Sequence, residues 1–149
     1  MAAELVSIAL CTYNGEAYLK EQLDSLIDQT YPNCEIIIVD DCSKDGTVDI
    51  LKQYANEYPQ IKLYINSENL GYTKNFEKAI NLCNGEYIAL CDQDDIWDKN
   101  KISIMIHRIG DNILIYYCGA LFAAAIASIQ LSASYNAAIP LPLLLPIWQ

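Results

Sequence analysis

Two hydrophobic rhythms alternate along the chain. Leu5-Val6-Ser7-Ile8-Ala9-Leu10-Cys11 is a short β-rich run ending in Thr12-Tyr13-Asn14-Gly15, the pattern of a strand followed by a turn. From Ala17 the apolar residues Leu19, Leu23, Leu26 and Ile27 recur at helical spacing, until Tyr31-Pro32-Asn33 breaks the period. Glu35 to Val39 predicts a second buried strand, and it ends on Asp40 and Asp41. Ser43 to Thr47 carries turn and helix-cap chemistry, and Val48, Leu51, Tyr54, Ala55 and Tyr58 predict a helix stopped by Pro59. Ile61 to Ile65 is a third strand, 66–71 a polar loop, and Phe76, Ala79, Ile80 and Cys83 trace one face of a third helix. Glu86 to Cys91 is almost wholly apolar, as a strand buried on both faces should be. Lys99 to Ile109 predicts another helix and Asn112 to Tyr117 a further strand.

Strands alternating with helices of this length imply βαβ units and a largely parallel sheet, an α/β fold. Ligands bind such sheets outside the carboxyl ends of the strands. Thr12-Tyr13-Asn14, Asp40-Asp41, Asn69 to Gly71 and Asp92 to Asp95 all fall at those ends, so four polar clusters converge on one rim. In the last of them Asp92, Asp94 and Asp95 repel one another unless something positive binds between them. A hard cation such as Mg²⁺ or Mn²⁺ answers that need, because it prefers carboxylate oxygen and brings substrate phosphates as further ligands. The plain alternative is an acidic, solvated turn that caps the next helix.

Length and composition narrow the field. At 149 residues, 53% of them hydrophobic, the chain suits one domain with a sizeable core. A net charge of −10 argues against nucleic acid as a partner, although a bound metal would reverse the sign locally. Six cysteines contain no Cys-x-x-Cys pair and lie mostly in or beside apolar strands, which predicts reduced core thiols in a cytoplasmic protein. Zinc is disfavoured by that spacing and by a lone histidine, His107, expected on the polar side of its helix. Met1 to Glu4 has no basic region, so no signal peptide is expected.

Beyond Asp111 there is no Asp, Glu, Lys, Arg or His. The chain therefore divides into 1–111 and an uncharged apolar tail, 112–149. Ile113 to Ile129 sits at the lower limit of about 17 residues for a membrane span, with Lys99, Lys101 and Arg108 before it. A strand followed by an atypical segment, membrane association at the inner face of the cell membrane, and a shifted reading frame all remain open for the tail.

Four motifs carry a resemblance. Ser7-Ile8-Ala9-Leu10-Cys11-Thr12-Tyr13-Asn14, Ile38-Val39-Asp40-Asp41-Cys42-Ser43-Lys44-Asp45-Gly46-Thr47, Asn69-Leu70-Gly71 and Cys91-Asp92-Gln93-Asp94-Asp95-Ile96-Trp97 resemble, in order and spacing, the family 2 glycosyltransferases. The resemblance covers about Leu5 to Arg108. It implies a Rossmann-like GT-A nucleotide-sugar-binding domain, with helices on both faces of a mostly parallel sheet. The Asp-Gln-Asp-Asp-Ile-Trp version looks like that of bacterial enzymes building surface polysaccharide, rhamnosyltransferase-like members among them.

By that resemblance Thr12, Tyr13 and Asn14 would lie at the nucleotide pocket, and Asp41 would accept a hydrogen bond from a uracil or thymine ring NH. Capping of the following loop is the structural alternative for Asp40 and Asp41. Asn69 and Gly71 would border the same pocket. Lys74 would lie near the phosphates or be a solvated helix residue. Asp92 would reach the ribose side and share a Mg²⁺ or Mn²⁺ with Asp94, the principal ligand, and Asp95 would support either. The family moves a sugar from a UDP- or dTDP-sugar to a hydroxyl of a glycan or lipid-linked acceptor, inverting the anomeric centre. Its general base normally lies well after the Asp-x-Asp motif, and no acidic residue follows Asp111 here. The expectation is a donor half without a recognisable acceptor half, and impaired or absent transfer by this chain. A non-catalytic nucleotide-sugar-binding module and a metal-dependent phosphohydrolase or nucleotidyltransferase are the rivals. A dinucleotide-dependent dehydrogenase is disfavoured because Cys11 to Gly15 is not Gly-x-Gly-x-x-Gly.

Overall fold

The computed structural model describes residues 3–109 and 143–145. The elements run β1 (Val6–Thr12), α1 (Leu19–Ile27), β2 (Cys34–Asp40), α2 (Thr47–Glu57), β3 (Ile61–Ile65), α3 (Tyr72–Leu82), β4 (Tyr87–Cys91), α4 (Lys101–Ile109) and β5 (Leu143–Leu145). All neighbouring strands are parallel, in the order β3-β2-β1-β4-β5. The α/β expectation therefore holds, including helices on both faces.

Strand alternation builds two cores. Val6, Ile8 and Leu10 of β1 and Ile36 and Ile38 of β2 face Leu19, Leu23 and Leu26 of α1, Leu51 of α2 and Ile102 of α4. Ala9 and Cys11, Ile37 and Val39, and Ile88 and Leu90 face the other way, onto Phe76, Ala79 and Ile80 of α3. The change of face follows from topology. From β1 the chain winds outward through β2 to β3, then crosses back to β4 on the opposite flank, and right-handed crossovers in opposite directions put their helices on opposite faces. The crevice between β1 and β4 is thus the switch point at which such sheets bind ligands.

Several boundaries differ from the sequence pattern by a residue or two. β1 and β2 each run one residue further, to Thr12 and Asp40, which are register partners joined by a side-chain hydrogen bond of 2.9 Å. The helix expected from Lys99 begins at Lys101, because the Asp98 side chain and carbonyl cap it through the Asn100 and Lys101 N–H groups. His107 is exposed, as anticipated. β5 was not anticipated, since Leu143–Leu145 sits in a proline-interrupted run without a strand period. The strand expected at 112–117 and the apolar stretch 113–129 lie outside the described residues. No described helix is long and apolar enough to cross a membrane.

Candidate functional site

A cleft of about 530 Å³ opens at the carboxyl ends of β1, β2 and β4, within the size range of small-molecule sites. Thr12, Tyr13, Asp41, Asn69, Gly71, Asp92 and Asp94 line it, together with Cys11, Tyr72, Asn75, Phe76 and Gln93.

One end is organised by Asp41, which is 3% exposed. Its Oδ1 accepts from Asn66 Nδ2 at 2.8 Å and from the Leu70 N–H at 2.7 Å, and its Oδ2 accepts from the Gly71 N–H at 2.9 Å. Gly71 can make that bond because it sits at φ +81°, a backbone that side-chain-bearing residues rarely adopt. Asn66 is held in turn by Asn75 and Lys78, and Asn75 donates to the Val39 carbonyl. The carboxylate thus folds the 66–71 loop around itself. A carboxylate has about four acceptor positions; three are filled by these bonds, which leaves about one, on Oδ2, in a residue that lines the cleft. Asp40, fully buried, takes the structural alternative. It accepts from Thr12 Oγ1 and from the N–H and hydroxyl of Ser43, and so caps the loop after β2.

The other end is acidic. Burial raises the Asp92 carboxyl to about 6, and the neighbouring Asp95 and Asp94 push in the same direction. Burial also raises Asp95; Lys101 opposes that shift and Asp94 adds to it. Asp94 stands exposed on the same rim. Among the described residues no three Asp, Glu, His or Cys side chains converge into a ready-made metal cage. Mg²⁺ and Mn²⁺ do not require one when substrate phosphates complete the shell. Two cleft-lining carboxylates, one of them held unfavourably charged, are a donor set that fits such an ion.

Gln93 ties the two ends together. Its Oε1 accepts from the Tyr13 N–H at 2.8 Å, and a Cβ at Gly15 would fall 2.6 Å from that oxygen, so a larger residue there would displace the Gln93 side chain. Tyr72 and Phe76 form an edge-to-face pair at 4.9 Å in the cleft wall.

Three residues singled out in the sequence do not line the cleft. The Asn14 side chain turns away to accept the Lys44 N–H at 2.8 Å, and its φ of 49° suits asparagine at this turn. Lys74 is a solvent-exposed residue of α3, in line with the second of its two readings. Asp95 acts on the cleft through its charge on Asp92. Cys11, Tyr72, Asn75, Phe76 and Gln93 line the cleft without having been assigned to it from the sequence. Four of these carry no polar signal distinct from core or helix surface, whereas Gln93 sat between two aspartates and was the one open to notice.

A doubly wound parallel sheet with a polar cleft at its switch point is a ligand-binding α/β domain. The family model described as Glycosyl transferase family 2 matches residues 7–138, and the chain belongs to that family. Among relatives, it is 42% identical over 98 residues to a protein of Bacillus subtilis named a putative teichuronic acid biosynthesis glycosyltransferase, TuaG, covering 66% of this chain and 39% of that one. It is 38% identical over 121 residues to the dTDP-rhamnosyl transferase RfbG of Shigella flexneri, covering 72% and 42%. The S. aureus TarS 1-349 structure in complex with UDP-GlcNAc superposes with a TM-score of 0.67 at 29% identity, over 78% of this chain and 36% of that one. The mannosyltransferase PcManGT of Pyrobaculum calidifontis, in complex with GDP-Man and Mn²⁺, shares the fold at a TM-score of 0.72 and 24% identity, over 78% and 35%. The chain spans about two fifths of the length of curated relatives such as TuaG and RfbG.

Proposed function

We propose that the cleft binds the nucleotide-diphosphate sugar donor of an inverting glycosyltransferase that transfers to a glycan or lipid-linked hydroxyl in bacterial surface polysaccharide synthesis. The observation that carries this reading is the pairing of the cleft-lining Asp41 carboxylate, with an acceptor position left on Oδ2, and the acidic rim of Asp92 and Asp94 at the opposite end. Asp41 recognises the imide NH of uracil or thymine by a charge-assisted hydrogen bond, roughly twice as strong as a neutral one. Thr12, Tyr13, Asn69 and Gly71 border the base, and Tyr13, 46% exposed, offers its ring for stacking. Asp92 and Asp94 hold Mg²⁺ or Mn²⁺ jointly with the diphosphate, and Asp95 supports Asp92 electrostatically. When bound, the ion supplies Lewis-acid stabilisation of the charge left on the departing diphosphate. The acceptor hydroxyl attacks from the face opposite the diphosphate, with its proton taken by a base from outside this cleft. The polysaccharide assignment draws on relatives named for teichuronic acid biosynthesis and rhamnosyl transfer, and a cytoplasmic position at the inner face of the membrane is part of the same proposal.

Calorimetric titration of UDP and dTDP, with and without Mn²⁺, tests the reading. We expect metal-dependent binding of at least one nucleotide, and its loss by tenfold or more in Asp94→Ala. If neither nucleotide binds to demonstrably folded protein, the donor-site reading is wrong. A transfer assay over a broad acceptor set then separates an enzyme from a binding module.

A further inference from the structure

The segment from Asp92 to Asn100 belongs to no strand or helix, yet it carries the acidic rim. Its backbone groups are held from one side, by polar residues of α1 and the turn after it. Gln22 Nε2 donates to the Asp92 carbonyl and, at 3.1 Å, to Cys91 Sγ. One turn on, Ser25 Oγ accepts the Trp97 N–H at 3.0 Å. Gln29 Nε2 donates to the Asp98 carbonyl at 2.8 Å, while its Oε1 accepts the Ile102 N–H at 3.1 Å. The Thr30 N–H donates to the Lys99 carbonyl at 2.8 Å. Gln22 and Ser25 lie one turn apart on α1 and Gln29 follows just past its end, while Leu19, Leu23 and Leu26 anchor the helix in the core.

Gln22 is the telling member. It is fully buried, and its Oε1 has no hydrogen-bond partner among the described residues. An apolar side chain of similar length would remove that orphaned acceptor but would leave the Asp92 carbonyl without its donor. The mutual repulsion of Asp92, Asp94 and Asp95 is what the segment has to be held against in the absence of a cation.

We propose that Gln22, Ser25 and Gln29 are positioning residues that hold the acidic segment where the metal–diphosphate end of the donor needs it, an inference that rests on the donor-site reading above. They touch neither nucleotide nor metal, and act by fixing the path of the backbone that carries Asp92 and Asp94. The Asp41 end, built from β2 and the 66–71 loop, meets that segment at the Gln93–Tyr13 hydrogen bond, so metal-dependent affinity should fall further than nucleoside affinity.

The test measures three quantities on the chain and its variants: thermal midpoint, affinity for UDP or dTDP with Mn²⁺, and affinity for the matching nucleoside without metal. Gln22→Met trades one unpaired acceptor for another, so it should melt near the wild-type midpoint and lose about tenfold in metal-dependent affinity, about 1.4 kcal/mol, with a smaller loss of nucleoside affinity. Gln29→Ala should lose metal-dependent affinity with the same selectivity, and it decides the matter if Gln22→Met does not fold. Metal-dependent affinity within twofold of wild type, or a parallel loss of nucleoside binding, overturns the positioning role. Wild-type protein that binds neither nucleotide overturns the donor site itself, and the two failures are distinct.

Discussion

On the donor-site proposal, Asp92 is a carboxylate that would serve binding at the expense of folding. Its folded value of about 6 lies above the ordinary 3.8, so the unfavourable contribution is absent below the ordinary value and fully felt once pH has risen through about 6. Removing the charge with Asp92→Asn should raise the metal-free stability at pH 7.5 by about 1 kcal/mol, discounted for screening at a partly exposed group. Thermal melts at pH 7.5 and pH 4 check this, because the gap between wild type and variant should close at the lower pH. The same variant should lose metal-dependent nucleotide binding, a trade of function against stability. A variant no more stable than wild type at pH 7.5 would mean that the acidic segment relaxes away from its neighbours when the ion is absent.

At the scale of elements, a second buried carboxylate behaves in the opposite sense. Burial tends to raise Glu35, but hydrogen bonds from Lys62, Ser7 and Asn84 outweigh it and hold the group below the usual 4.5. Ser7 Oγ donates at 2.6 Å, Lys62 Nζ lies 2.7 Å away, and the Asn84 N–H donates at 2.7 Å, so Glu35 joins β1, β2, β3 and the turn before β4 at the end of the sheet far from the cleft. A depressed folded value contributes stability above the ordinary one and loses it as pH falls through the folded one. Glu35→Gln should therefore cost about 1–3 kcal/mol at pH 7 and lose less stability than wild type on acidification below pH 4.5 in denaturant titrations. Little of this knot was legible beforehand, since Glu35 reads as the polar start of an apolar strand. The strands themselves were legible, because burial on both faces leaves unbroken apolar runs such as Glu35 to Val39 and Glu86 to Cys91. Asp41 stood out by its place at a strand end, but its clamp on Leu70 and Gly71 joins residues about thirty positions apart. Tyr72 and Phe76 carried the same helical period that marks a core face. The polar residues Gln22 and Ser25 of α1, and Gln29 just after it, were hidden for the converse reason: a polar side chain at the border of an apolar stripe reads as solvent-facing.

For the molecule as a whole, a net charge of −10 repels the anionic donor proposed for it. Raising NaCl from 10 to 150 mM shortens the screening length from about 30 to about 8 Å, so metal-free UDP affinity should rise with salt, and Mn²⁺ should abolish or reverse the trend. Affinity that falls with salt in the absence of metal would point to lysines such as Lys74 or Lys78 as phosphate ligands. The strand order carries one more consequence, for the protein during its synthesis. β1, β2 and β3 can pair as soon as residue 65 has left the ribosome, but β1 must wait for β4, more than seventy residues behind it, to cover its other flank. Until then one edge of the most buried strand stays open, and the nascent chain has a half-built cleft with its Asp41 end formed and its acidic end still unmade.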